Sequence, residues 1–178
     1  MSNRKASSLI FLDTSAFVPL LDCQHPLNSR LIQHLKSRNA SVEIDAIVLS
    51  EFLVGVGSDV DKDVLIDKYT RQFRVPSFDA AAAKVCAELF KLLKSKGQIP
   101  KSATDRQITK VDIMIMASAI VSRATEFVFE DKHFAHYPQH FPTDICGFPM
   151  PTFIRASDLP DVFVQQELEG LQQEDSSK

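Results

Sequence analysis

Four carboxylates interrupt apolar runs instead of joining a charged face. Asp13 ends the run in LIFLDTSAF, Glu51 sits in VLSEFLVG, Asp112 in KVDIMIMASA and Asp131 in FVFEDKHF. Carboxylates that face one another repel, and their pKa values rise unless a cation neutralises them. A cluster of this kind is either a protonated liability or a site for a hard metal. Oxygen donors with few nitrogens suit Mg2+ or Mn2+. Taken singly, each acid has an ordinary explanation. Asp13 can cap the helix that follows it. Asp112 can favour a helix N-terminus. Glu51 can be a solvated helix residue and Asp131 a turn former. Their joint placement, each beside a buried element, is what those explanations leave out.

The elements that must position these acids can be read from periodicity. Residues 8–12 form a short buried strand, followed by a helix through 16–21 that Thr14 and Ser15 can cap. Pro26 opens a second helix, in which Leu27, Leu31, Ile32 and Leu35 share a face. Residues 42–48 alternate like a strand and run into a helix that puts Glu51 in its first turn and stops at Gly55 or Gly57. Residues 59–73 are amphipathic, 75–78 are a short strand candidate, and 79–97 are the clearest helix, with Asp79 at its head and Gly97 at its end. A polar loop over 98–107 then leads to an apolar helix over 109–124 that Asp112 begins. Residues 126–129 are a strand, after which Asp131 turns out. Beyond Phe141 the pattern weakens into a Pro-rich stretch, a last helix near 158–173 and a polar end.

Strands alternating with helices predict an α/β fold: a three-layer α/β/α domain with a mainly parallel central sheet. Such sheets gather their working residues at the carboxyl ends of the strands. The expected division is a domain over residues 1–155 and a helical extension with a polar tail over 156–178. With 178 residues, 44% hydrophobic, the chain can bury a full core. A formal net charge of −3 argues against a strongly basic nucleic-acid sleeve while leaving room for a local basic patch. The three cysteines, Cys23, Cys86 and Cys146, form no CxxC pair, which fits small buried hydrophobes in a reducing cytoplasm. No apolar stretch is long enough for a membrane span or a signal peptide, so no membrane partner is expected.

These segments, in this order, resemble PIN-domain nucleases, most closely the VapC-type toxin ribonucleases. The resemblance covers most of residues 9–141 and rests on FLDTSAF, VLSEFLVG, FDAAAAKVCAEL and VDIMIMASAIVSRATEFVFEDKHF. It implies that Asp13, Glu51, Asp112 and Asp131 are the catalytic acids and metal ligands for Mg2+ or Mn2+. Ser15 takes the small polar place that helps hold the metal or its water, and Phe134 matches a trailing aromatic. The implied activity is metal-dependent hydrolysis of RNA phosphodiester bonds, in which a cation acidifies water and shields the phosphate. The implied partners are RNA, an antitoxin protein if the chain is half of a toxin–antitoxin pair, and a second copy in a homodimer. Two departures stand out. Phe129 replaces the family's frequent Thr or Ser two positions before the last acid. Glu130 beside Asp131 allows the ligand assignment to slide by one.

Weaker signals surround the acids. Lys101, Arg106 and Lys110 precede Asp112 and are either a solvated loop or a patch for substrate phosphates. Asp105 is either an outer acid or a loop cap. His133, His136 and His140 lack the Cys or Glu that would complete a zinc motif, but His133 is placed to meet phosphate. Aspartyl-phosphate phosphatases also begin strand-Asp, yet they need an acid two residues later, where this chain has Ser15. The alternative reading is a catalytically weak or inactive PIN-like module that binds RNA or protein.

Overall fold

The computed structural model describes residues 8–161. Four strands, β1 (Leu9–Leu12), β2 (Ser41–Ile44), β3 (Glu126–Phe129) and β6 (Thr152–Arg155), form one parallel sheet in the order β2-β1-β3-β6. A small antiparallel pair, β4 (Asp144–Ile145) and β5 (Phe148–Pro149), precedes β6. Six α-helices are present among the described residues: α1 (Thr14–Leu21), α2 (Asn28–Ser37), α3 (Ala46–Gly55), α4 (Lys62–Gln72), α5 (Ala80–Ser95) and α6 (Ala103–Val121). The expected α/β class with a parallel sheet is therefore the observed one.

Burial explains the strands. Ile10, Phe11 and Leu12 of β1 and Phe127 and Val128 of β3 have no more than trace exposure, as central strands of a parallel sheet require. Phe11 stacks on Phe127 across the two strands at 5.9 Å between ring centroids. The chain moves from β1 to β2 in one direction and from β2 to β3 in the other. Right-handed crossovers then put the connecting helices on opposite faces. The order reverses between β1 and β3, and open α/β sheets bind ligands at such a switch point, outside the carboxyl ends of the strands. Asp13 directly follows β1, and Asp131 lies two residues beyond β3.

An aromatic cluster fixes the helices on the β1 side. Phe17 of α1 meets Phe52 of α3 at 5.6 Å, Tyr69 of α4 at 5.8 Å and Phe73 at 5.4 Å, in each case edge to face. Phe52 is the neighbour of Glu51, so the packing that seats α3 also fixes where that acid starts. On the other side, α5 and α6 pack along their lengths, with Val85, Leu89 and Leu93 of α5 and Ile113, Met116 and Ile120 of α6 buried.

Several boundaries differ from the sequence expectation. Helix α6 begins at Ala103, capped by Ser102, whose hydroxyl accepts from Asp105 N–H. The supposed loop over 98–107 is thus half helix, and Asp112 lies in the middle of α6, not at its head. Glu51 falls in the second turn of α3, because that helix starts at Ala46 on an Asp45 cap. Residues 75–78 form no strand: only Arg74 bridges to β2, through Arg74 N–H to Val42 O and Ile44 N–H to Arg74 O. The β6 strand was not foreseen. Cys23 and Cys146 are exposed, and only Cys86 is half-buried, where burial pushes its thiol up.

Residues 156–161 are held against α2: Ala156 and Leu159 are buried, Arg30 donates to the Ser157 carbonyl at 2.9 Å, and Asp161 pairs with Arg30 at 2.6 Å. The helix expected near 158–173 lies, from residue 162 on, outside the described residues. No helix among the described residues is long and apolar enough to cross a membrane.

Candidate active site

Asp13 is both a cap and a buried acid. It is the N-cap of α1 and only 5% exposed, and its Oδ2 accepts from Ser15 N–H at 3.0 Å and from Ser15 Oγ–H at 2.5 Å. Burial raises its pKa against these hydrogen bonds, and the charge of Glu51 adds to the rise. Ser15 does more than hold Asp13. Its Oγ accepts from the backbone N–H groups of Glu130 at 2.8 Å and Asp131 at 3.1 Å. One hydroxyl thus ties the end of β1 to the turn after β3, across the switch point. Its single proton goes to Asp13, and its lone pairs take the two N–H groups.

Glu51 reaches this centre from α3 through Thr14, whose hydroxyl donates to Glu51 Oε2. Asp112 reaches it from α6. Its carboxyl is pushed up to about 7, first by burial, then by the charges of Asp13 and Asp131, with a smaller push from Glu51. Tyr137 opposes the rise: its hydroxyl lies 3.4 Å from Asp112 Oδ2 and 3.2 Å from Thr109 Oγ1. The charges of Asp13, Asp131 and Glu51 thus all bear on Asp112, although the four acids come from four elements. A helix-terminus role for Asp112 is removed by its mid-helix position.

Asp131 is exposed and takes His133 N–H on Oδ1 at 2.8 Å, a turn that folds its carboxylate back over its own loop. Glu130 points elsewhere. Its Oε1 meets Arg155 Nη2 at 2.8 Å, and its Oε2 accepts from Ser157 N–H at 2.8 Å. It locks β6 and the following turn to the end of β3. Phe129 fills the place of the family's hydroxyl with a buried ring 5.7 Å from Phe134, so that position serves the core. Phe134 itself packs on Phe127 at 5.2 Å and Tyr137 at 5.9 Å.

The three basic or imidazole residues separate. His133 lines a cavity of about 160 Å³ with Pro100, Asp105, Ile108, Thr109 and Tyr137, on the acid side of α6. Arg106 and Lys110 instead line a larger cavity of about 640 Å³ against α5, with Phe90, Lys94 and Lys101. Two residues along a helix turn it by about 200°, so Lys110 and Asp112 face nearly opposite ways. Thr14 and Tyr137 contact the candidate acids, and Thr109 contacts Tyr137; sequence reasoning missed all three. The hydroxyl of Thr14 was visible in DTS; nothing local marks Tyr137.

Among the described residues no three His, Cys, Asp or Glu side chains already converge as metal ligands. The acids are neighbours, not a finished coordination sphere. Their chemistry still fits a hard cation: they are oxygen donors only, and Asp112 is pushed up to about 7 by burial first and by the charges of the other acids after it. A divalent ion is the simplest neutraliser for such a set.

Comparison with known proteins agrees with this architecture. A family model described as "PIN domain" matches residues 10–139. No curated protein matches the sequence significantly. Among solved structures, VapBC2 from Rickettsia felis, bound to a promoter DNA fragment, is similar at TM-score 0.57 and 19% identity, over 83% of this chain and 98% of that one. VapBC-5 from Mycobacterium tuberculosis, a member of the VapBC family of toxin–antitoxin systems, has TM-score 0.50 and 19% identity over 83% and 97%. VapC20 of the same organism, a sarcin–ricin loop cleaving toxin, has TM-score 0.50 and 18% identity over 75% and 99%. These likenesses concern the fold. The family match spans most of the chain and contains all four acids, and the chain belongs to the PIN domain family.

Proposed function

We propose that this protein is an endoribonuclease that uses Mg2+ or Mn2+ to hydrolyse RNA phosphodiester bonds, with Asp13, Glu51, Asp112 and Asp131 as its catalytic and metal-binding acids. The observation that carries the reading is Asp112, half-buried in α6 and pushed up to about 7 first by burial and then by the charges of Asp13, Asp131 and Glu51. When bound, the cation supplies positive charge for the phosphate and acidity for the attacking water. The chain's own residues set the geometry. Ser15 fixes the Asp13 carboxylate and the turn that carries Asp131. Thr14 draws Glu51 toward the start of α1. Tyr137 steadies the Asp112 carboxylate from outside. His133 lies near enough to this face to meet a substrate phosphate, while Arg106 and Lys110 serve RNA that has already passed over α6. Glu130 is an accessory through Arg155 and Ser157, holding the loop and not the ion.

The VapBC likenesses support a toxin paired with an antitoxin protein. An apolar cavity of about 450 Å³ on α5 and α6, lined by Phe78, Cys86, Phe90 and Met114, supports contact with a second copy or a partner. One observation favours the rival reading of a non-cleaving binding module: the acids do not yet converge as ligands. The test is incubation of the purified protein with mixed RNAs, with and without Mg2+ or Mn2+, and mapping of the cut ends. Cleavage that requires the ion and stops with chelator is expected. Absence of cleavage with either ion, together with negligible heat on calorimetric metal titration, would replace the nuclease with the module.

A further inference from the structure

We infer that the cavity between the first turns of α6 and the turn after β3 is a nucleobase subsite that selects guanine beside the cut phosphate. The inference rests on the ribonuclease reading and adds the base that it recognises. The cavity holds about 160 Å³ and is lined by Pro100, Asp105, Ile108, Thr109, His133 and Tyr137. That is room for about five waters, enough for one planar heterocycle and too little for a whole nucleotide. It shares a wall with the acids, because Tyr137 touches both Thr109 in the cavity and Asp112 in the centre.

The lining has the right division of labour for a base. Pro100, Ile108 and the rings of His133 and Tyr137 supply flat and apolar surface for stacking. Ile108 is 49% exposed although it is a large aliphatic residue at the mouth of the cavity, a placement with no packing purpose. Two of the polar side chains are engaged, which leaves the His133 imidazole and the Asp105 carboxylate. Thr109 donates to the Asp105 carbonyl at 2.9 Å, and Tyr137 is engaged with Thr109 and Asp112. The Asp105 carboxylate makes no hydrogen bond or ion pair with a described residue. Asp105, Thr109 and Asp112 lie at spacings of four and three on α6, so they share one helix stripe.

A free carboxylate accepts and cannot donate. Guanine alone presents two adjacent donors, N1–H and N2–H, that a carboxylate can take side by side. Adenine and cytosine each offer one amino group next to a ring nitrogen acceptor, which would face a carboxylate oxygen. Uracil sets one N–H between two carbonyls. Bidentate, charge-assisted pairing therefore favours guanine.

Two measurements test this. The first needs no catalysis: binding of the four nucleoside 5′-monophosphates to the wild-type chain, followed by chemical shifts of His133 and Tyr137. Preference for GMP by about tenfold or more is expected, and Asp105→Asn should remove it while Ile108→Ala weakens all four together. Equal binding of the four would overturn the subsite and leave the nuclease reading standing. GMP preference in a protein that cuts no RNA would support the subsite and remove only the nuclease. The second measurement maps cut ends in a random RNA pool. Guanine should be enriched at one fixed position next to the cut, and the enrichment should vanish in Asp105→Asn. An unchanged cut profile in that variant would overturn the assignment.

Discussion

A half-buried carboxylate beside three others ionises at a cost, and in this molecule the cost collects on Asp112. The group titrates near 3.8 in an ordinary setting and near 7 here. Between those values the folded protein holds a proton that the unfolded chain has released. Stability of the metal-free protein therefore falls as pH rises from about 4 to about 7, and no further loss from this group follows above that. Asp112→Asn removes the penalty while keeping the shape. In chelator, its melting temperature should gain on wild type as pH rises through that window and then run parallel. A difference independent of pH would show that burial and neighbouring charge do not set this group. The same variant should lose RNA cleavage by at least about 100-fold, more than removal of an outer partner costs, with an unchanged circular dichroism spectrum. Full activity would take Asp112 out of the centre. Tyr137 is a milder case. Its hydroxyl lowers the Asp112 pKa, so Tyr137→Phe should move the rising limb of the pH–rate profile upward; an unmoved limb would make the 3.4 Å contact incidental.

At the level of elements, the site is a junction that Ser15 holds closed. Ser15→Ala takes a hydrogen bond from Asp13 and leaves the N–H groups of Glu130 and Asp131 without their acceptor. The loss should be about 1–3 kcal/mol, read by denaturant unfolding, and it should be accompanied by weaker metal binding. Glu130 and Asp131 separate the two effects. Glu130→Ala should lower stability through Arg155 and Ser157 and spare metal binding, and Asp131→Asn should do the reverse; the opposite pattern would move the ligand to Glu130. How much of this junction was legible follows from where its signals lie. Helix α5 was readable because Asp79 marks its start and Gly97, at φ +67°, its end. Strands β1 and β3 were readable because central strands of a parallel sheet are continuous apolar runs. The start of α6 was misplaced because residues 103–108 are all exposed and Ile108 is the one large apolar residue among them, so no apolar stripe marks them. The Ser102 cap with Asp105 three residues on was the available cue. Strand β6 lies at a sheet edge between prolines and is only half-buried, which erases any alternation. The acids were visible because charge is out of place in apolar runs. Their partners Thr109 and Tyr137 were not, since a contact between residues 112 and 137 exists only after the chain has folded.

Over the whole molecule, the modest net charge of −3 conceals an uneven distribution. Acids gather at the switch point of the sheet, while Lys94, Lys101, Arg106 and Lys110 gather on the far side of α6. The apolar cavity beside that basic group also belongs to this scale. A mass above that of one chain by light scattering at micromolar concentration is expected, and a strictly monomeric mass would assign the face to another partner. The acidic end makes a sharper demand. Asp13 is buried, its pKa is raised, and it feels Glu51 directly. In the metal-free fold, burial and the Glu51 charge therefore oppose ionisation of Asp13, a cost the unfolded chain does not carry. A cation that binds only the folded state relieves it and stabilises by mass action, by about 2.7 kcal/mol at a concentration 100 times its Kd. Mg2+ or Mn2+ should accordingly raise the wild-type melting temperature. Asp13→Asn should do two things at once: melt above wild type in chelator, because one buried charge is gone, and fail to rise when metal is added, because a ligand is gone. Its amide oxygen can still accept from Ser15 N–H, so the cap of α1 survives and the fold remains a fair reference. Equal metal-dependent shifts in mutant and wild type would make Asp13 a helix cap alone, and the carboxylate at the end of LIFLD a structural acid.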